Sequence, residues 1–423
     1  MASCWSGGFF VFSFTVGLAG AGWSTVIAYS LLPIILLLPA SKQGERFLTI
    51  NYMSSSKVYF IILNFNGYAD TVECLESLRR LKNQNFQVIL VDNASGNDEG
   101  ARLAAEFPEY IHILNEKNSG FAGGNNIGVA RALQEADCNY LFFLNNDTTV
   151  EPDLLDQLLA VVNNPQNQSY GFFQPKMINY FQRNLMDSAG LDYSRNSLGF
   201  NRGGNRPIQE YNDNQEILGC CGGAFLCRRQ AVEDLWHQAG EFFAQDFFAY
   251  CEDLDASLRL QWAGWRALFV ANAIVYHKGG QTAQKFTARK VFWPNRNSLW
   301  VVIRNWPIKA IIVNFPWLFL GQLGMVVNAF LRRGRLGWWA VKGKWEAFRK
   351  LPAMWRCRSS IQQDKQNWYY IKQMMILNGD LSMNYSRLRR QWLSTIQKPQ
   401  FNEIVGALTT EKKYNFLRNP AME

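Results

Sequence analysis

KVYFIILN (57–64), FQVILVDN (86–93), HILN (112–115) and NYLFFLNND (139–147) are short apolar runs, and DTVECLESLRRL (70–81) separates the first two. Runs this short and this rich in β-branched and aromatic residues read as strands buried on both faces. Val72, Leu75, Leu78 and Leu81 instead recur at helical spacing and mark one apolar helix face. Strand and helix therefore alternate, which predicts a parallel sheet covered by helices on both faces. Ligands of such a sheet sit beyond the carboxyl ends of its strands. The residues that close each run are thus the ones to search for chemistry.

Outward from this stretch the pattern changes twice. Residues 170–223 are polar and Gly/Asn-rich (RNSLGFNRGGNRPIQEYNDNQ at 195–215), and are expected to form surface loops of the kind that carry ligand specificity. The apolar pattern resumes at GGAFLCRR (222–229), with a helix expected near 254–262 and strands near 267–270 and 273–277. Residues 310–330, AIIVNFPWLFLGQLGMVVNAF, carry no charge and are flanked by Lys309, Arg332 and Arg333. That length spans a bilayer or lies in its interface, and Asn314, Pro316 and Gln322 favour shallow insertion over spanning; a buried hairpin is the alternative. At the other end, residues 1–52 are apolar and Gly/Ser-rich, reading either as a membrane segment or as a leader upstream of a true start at Met53. Three regions result: the apolar segment 1–52, a catalytic domain at 57–305, and a helical, basic, membrane-associated region at 306–423.

Lys and Arg number 43 against 34 Asp and Glu, a net charge of +9 that suits phosphates, nucleic acid or acidic lipid. Because the basic residues of the C-terminal third stand beside apolar segments, the expected partner is a membrane surface and not nucleic acid. Bulk disorder is excluded by 48% apolar against 18% charged residues. The eight cysteines form no C-x-x-C pair, so neither a zinc site nor a disulfide scaffold is expected, and reduced thiols fit the cytoplasmic face.

Four clusters follow the strands. Asn64 after the first run and Asp92 with Asn93 and Ser95 after the second could hydrogen-bond a base or a ribose, although Asn and Asp also form ordinary turns here. NSGFAGGNNIG (118–128) offers small residues that let backbone N–H groups approach phosphate. It lacks both G-x-G-x-x-G and the P-loop lysine, which disfavours a nicotinamide-dependent oxidoreductase. In LNNDT (144–148), Asp147 is a candidate oxygen ligand for a divalent cation or simply a helix cap. Glu252, Asp253 and Asp255 open a helix, where the dipole alone favours acidic residues, and His277 closes a strand as a candidate second metal ligand.

Taken in order, VYFIILNFNG, VILVDNASGND, NSGFAGGNNIG, FFLNNDT, GGAFLCRR and FFAYCEDLDASLRLQWAGWRALFV...AIVYH resemble the family 2 glycosyltransferases, in their rhamnosyltransferase-like branch. The resemblance implies an α/β GT-A fold with a mostly parallel central sheet, completed here by a C-terminal helical membrane-associated region. It further implies a nucleoside-diphosphate sugar donor such as dTDP-rhamnose, a Mg²⁺ or Mn²⁺ ion, and inversion at the anomeric carbon. On this likeness Asn64 and Asp92 contact base and ribose, and Asn118, Gly120, Asn125 and Asn146 line the nucleotide cleft. Asp147 and His277 hold the metal, Asp253 is the general base, and Glu252 and Asp255 orient the acceptor. Asn145 departs from the pattern, standing where the family's D-x-D motif has its first Asp. Q-x-x-R-W is absent, which implies one sugar per encounter with a lipid-linked or glycan acceptor. The rival from another class is a catalytically silent nucleotide-sugar-binding scaffold at the membrane.

Overall fold

The computed structural model describes residues 57–279, 287–362 and 365–375, all within the compact unit 53–423; the segment 1–52 lies outside the described residues. The apolar runs form β1 (Lys57–Asn64), β2 (Phe86–Asp92), β3 (Ile111–Leu114) and β4 (Cys138–Asn145). Helices α1 (Tyr68–Arg79), α2 (Glu99–Glu106) and α3 (Gly120–Leu133) alternate with them. Strands β4, β1, β2 and β3 lie side by side in parallel register, so their carboxyl ends share one rim.

Beyond β4 come β5 (Thr148–Val150), α4 (Leu154–Val162) and β6 (Tyr170–Asn179). This β6 corrects the expectation of surface loops over 170–223, because it is a buried interior strand between β11 (Ala224–Arg228) and β12 (Arg266–His277). Pro175 hid it, since proline removes a ladder N–H. The Gln174 side chain repairs the ladder, donating to Ala224 O at 3.1 Å and accepting from Cys221 N at 2.7 Å. The same region adds β7 (Met186–Ser188) on β6, the β8 (Leu191–Tyr193) and β9 (Gly199–Asn201) hairpin, and β10 (Gln215–Ile217) on β12. Among the described residues the result is a ten-stranded mixed sheet whose long ladders are parallel.

Helices α5 (Arg229–Ala239) and α6 (Glu252–Trp262) precede β12. The two runs expected at 267–270 and 273–277 are one strand whose register shifts between Val270 and Ile274. After it, α7 (Thr287–Asn305) carries α8 (Ile308–Val313), α9 (Phe315–Arg333), α10 (Trp338–Arg349), α11 (Leu351–Arg356), α12 (Arg358–Ile361) and α13 (Lys365–Met374). One hydrophobic cluster runs from Val58 through Trp300 to Ala347, Met354 and Ile371, so the core is continuous across the 305/306 boundary.

The uncharged run 310–330 is divided at Asn314 between α8 and α9. Among the described residues no helix is long and apolar enough to cross a membrane. A buried hairpin does not fit either, because Ile312 (67%), Val313 (76%), Phe315 (60%), Phe319 (57%) and Leu320 (55%) are exposed.

Candidate active site

The rim of β1, β2 and β4 opens on a cleft of about 520 Å³. Asn118, Gly120, Asn146, Asp147, Glu252, Asp253 and His277 all line it. Three of the expected nucleotide contacts do not. Asn64 is fully buried, donating to Asp92 Oδ1 at 2.8 Å and Ser95 Oγ at 3.0 Å and accepting from Thr71 Oγ1 at 2.8 Å. Asp92 spends its second oxygen on Ser95 N, and Asn125 donates to Phe121 O within its own helix. These side chains brace the loops behind the cleft. In their place the neighbouring Phe65 and Asn93 reach the lining.

The loop entering α3 also differs from expectation. Gly120 N donates to Asn118 Oδ1, Ser119 N to Asn93 Oδ1, and Ala122 N to Phe248 O. Three of the N–H groups that could cradle a phosphate are therefore engaged in holding Asn93, Asn118 and Phe248 together. Gly120 is required for this brace, since its φ is +76° and a Cβ would sit 2.4 Å from Phe248 O.

Asp147 and His277 are distant in sequence and adjacent in the sheet. Antiparallel pairing of β12 with β5 sets His277 opposite Thr148, and Lys278 N donates to Asp147 O at 3.0 Å. His277 Nε2 then lies 3.2 Å from Asp147 Oδ1, while Nδ1 meets Asp187 Oδ2 at 2.8 Å. Burial pushes the imidazole toward its neutral form, but the two carboxylates outweigh it and raise the pKa to about 10. Nε2 is buried and makes no well-directed hydrogen bond despite the short distance to Asp147. Once a cation displaces the Nε2 proton, this nitrogen and the facing carboxylate oxygen, with the opposite ring nitrogen held by a second carboxylate, form a donor set that fits a divalent cation. Among the described residues no three His, Cys, Asp or Glu side chains form a complete site, so substrate phosphate or water would fill the remaining positions.

Asp187 was not anticipated. A single Asp in an irregular stretch carries no signal of its own, and only the β6–β7 pairing brings it beside β12.

On the opposite wall, Asp253 Oδ2 accepts from Gly222 N at 2.9 Å and Oδ1 from Leu254 N at 2.8 Å. Burial raises its pKa, and these N–H groups oppose the rise. Glu252 is 6% exposed, its Oε2 has no partner among the described residues, and burial followed by the charge of Asp253 pushes it well above the carboxylate range. The backbone before this pair is strained, with positive φ at Phe248, Tyr250 and Cys251, and Phe248 stacks on Trp293 at 4.9 Å. These aromatic rings give the cleft an apolar wall suited to a sugar face.

Asp255 is corrected from an acceptor-orienting residue to a structural one. It is fully buried, off the cleft, and bound by Arg259 Nε (2.7 Å), Arg304 Nε (2.9 Å) and Asn305 Nδ2 (2.9 Å). Burial would raise its pKa, but the Arg304 and Arg259 guanidiniums hold it below the ordinary value.

Residues 59–236 match the family described as glycosyl transferase family 2. The chain carries a family 2 glycosyltransferase domain. It is 25% identical to rhamnosyltransferase WbbL of Escherichia coli (strain K12) over 56% of this chain and 89% of that protein. It is 29% identical to an uncharacterized glycosyltransferase of Haemophilus influenzae, over 27% of this chain and only 38% of that relative. Among solved structures it is similar to the mannosyltransferase PcManGT from Pyrobaculum calidifontis, in complex with GDP-Man and Mn2+, at 14% identity and a TM-score of 0.41 over 72% of this chain and 84% of that one. S. aureus TarS in complex with UDP-GlcNAc gives 13% identity and a TM-score of 0.46 over 75% and 90%. The glycosyltransferase domain ends at 236 in this match, so Asp253 and His277 lie beyond it and belong to the cleft by geometry.

Proposed function

We propose that this glycosyltransferase moves a sugar, with inversion, from a nucleoside diphosphate to a hydroxyl of a lipid-linked or cell-surface glycan. The observation that carries the reading is the single cleft shared by Asp253, Asp147 and His277. Asp253, held by two backbone N–H groups, keeps lone pairs for a proton and acts as general base. It takes the proton from the acceptor hydroxyl as that oxygen bonds to the anomeric carbon and the nucleoside diphosphate leaves with the electron pair of the broken bond. One displacement inverts the centre. Asp147 and His277 would hold Mg²⁺ or Mn²⁺, which when bound supplies positive charge to the departing diphosphate. The likeness to a rhamnosyltransferase supports rhamnose as the sugar, with dTDP-rhamnose the donor that the sequence resemblance implies. A panel of nucleotide sugars offered with lipid-linked glycans, scored by product mass, tests the reading; release of nucleoside diphosphate with one donor is expected, and none with any donor contradicts it.

The metal assignment predicts weaker Mn²⁺ binding, read by paramagnetic resonance with nucleoside diphosphate present, in both Asp147→Ala and His277→Ala. Asp187→Asn is expected to lower Mn²⁺ affinity about 10–100-fold, because Asp187 fixes the imidazole tautomer. Unchanged affinity in all three variants contradicts the assignment.

Membrane association at the cytoplasmic face is part of the same proposal. It is supported by the exposed apolar face of α8 and α9 together with Trp345 and Phe348 of α10, beside Lys309, Arg332 and Arg333. Such a face inserts shallowly and gains from anionic lipid. The full chain is expected to sediment with phosphatidylglycerol-containing vesicles, less so at high salt, and Phe315→Ser with Phe319→Ser and Leu320→Ser is expected to release it. Equal sedimentation of wild type and variant would show that this face is not the contact.

A further inference from the structure

A second cavity, of about 800 Å³, lies among α6, α8, α12 and α13 and shares no lining residue with the catalytic cleft. Its wall carries four cationic side chains, Arg195, Lys309, Arg358 and Lys372, and no Asp or Glu among the described lining residues. None of the four has an ion pair among the described residues, in a molecule where many other Arg and Lys side chains are paired. Arg358 is 8% exposed and braces the end of α7 through the carbonyls of Ile303 and Trp306, the latter at 2.6 Å. Those carbonyls are neutral, so its charge stays uncompensated in a buried setting, and burial lowers its pKa.

The second observation concerns hydrogen bonding. Trp306, 1% exposed, lines the cavity with its ring, while its indole N–H is engaged with the buried Tyr193 hydroxyl behind the wall. Arg195 Nε is buried without a hydrogen-bond partner. A buried donor without an acceptor costs about 1–3 kcal/mol, so a guanidinium left in this state beside three further cations favours an anionic, acceptor-rich occupant. Trp262 and Trp368, stacked at 6.0 Å, supply a flat apolar wall beside them.

We infer that this cavity binds a phosphate-bearing ligand, whose oxygens and charge are met by Arg195, Lys309, Lys372 and Arg358. A phosphate offers several acceptor oxygens and full negative charge in one compact group. Two sources share that chemistry, a phospholipid headgroup and a soluble phosphate. The exposed Ile308 and Val313 at the rim give an acyl chain a place to lie. The turn that carries Arg195 joins β8 to β9, and Leu191, Gly199, Phe200 and Asn201 of those strands line the catalytic cleft, so the two sites share one hairpin.

Calorimetry on the full chain tests this with two probes, inorganic phosphate and monomeric dihexanoyl phosphatidic acid. Binding of phosphatidic acid alone identifies a headgroup site, and comparable binding of both identifies a soluble-phosphate site; either supports the inference. Arg195→Gln with Lys309→Gln and Lys372→Gln is expected to weaken that binding at least about tenfold, since a hydrogen bond to a charged group contributes about 1.5–3 kcal/mol. Nucleoside-diphosphate binding at the catalytic cleft should persist in the same variant. Lys372→Gln alone removes one charge at an exposed position of the wall; weaker phosphate binding supports the site even if the triple variant fails to fold. Binding of neither probe, or equal binding by wild type and Lys372→Gln together with the triple variant, overturns it.

Discussion

Asp253→Asn is expected to bind donor nucleotide as tightly as wild type and to lose about 10²- to 10⁴-fold in turnover, the usual contribution of a general base. The amide keeps an acceptor oxygen for one of the two N–H groups that hold Asp253, those of Gly222 and Leu254, so the loop survives while the proton acceptor is lost. The pH profile carries the same signature. Because burial raises the Asp253 pKa, the base is protonated and inactive below that raised value. The acid limb of kcat/KM should therefore lie above the ordinary aspartate pKa of about 3.9 and vanish in the variant. Turnover near wild type in Asp253→Asn would remove this residue from the chemistry.

Asp255→Ala is expected to cost about 3–5 kcal/mol of stability, the penalty for breaking a buried ion pair by removing one partner. Arg259 and Arg304 are 2% and 3% exposed, and the substitution leaves both guanidiniums buried without their carboxylate. Denaturant unfolding would show the loss as a lowered midpoint. Asp253→Asn should move that midpoint less, by about 1–3 kcal/mol for the one N–H left without an acceptor, and it is the turnover loss that separates the two acidic residues of one helix turn. A change below about 1 kcal/mol for Asp255→Ala would mean that the triad with Arg259 and Arg304 does not hold α6 to α7.

The strands whose ends make the site were legible because each is a continuous apolar run buried on both faces: KVYFIILN is β1 residue for residue. β6 was hidden by Pro175, whose missing N–H argues against an interior strand until the Gln174 side chain is seen bridging Ala224 and Cys221. Asp147, Glu252, Asp253 and His277, singled out by motif position, lie on the cleft. Motif position could not distinguish Asn64, Asp92 and Asp255 from them, since whether a polar side chain faces a cavity or a neighbouring side chain is decided by tertiary contacts. The same limit hid Asp187, Phe248 and Trp293, which reach the site through a three-residue strand, a strained loop and a distant helix.

Strained backbone and a brace of side chains surround the catalytic carboxylate. Phe248 accepts from Ala122 N, stacks on Trp293, and sits at positive φ, so α3, α7 and the loop before Asp253 meet at one residue. Strain of this kind is retained where it fixes geometry. Here it fixes the carboxylate relative to the rim of the sheet.

The direct measurement is the anomeric configuration of the transferred sugar, read by NMR on the isolated product of the productive donor. Attack by a hydroxyl activated by Asp253 in a single displacement gives the configuration opposite to the donor's. A product that retains the donor's configuration, or a sugar trapped covalently on the protein, would contradict the mechanism.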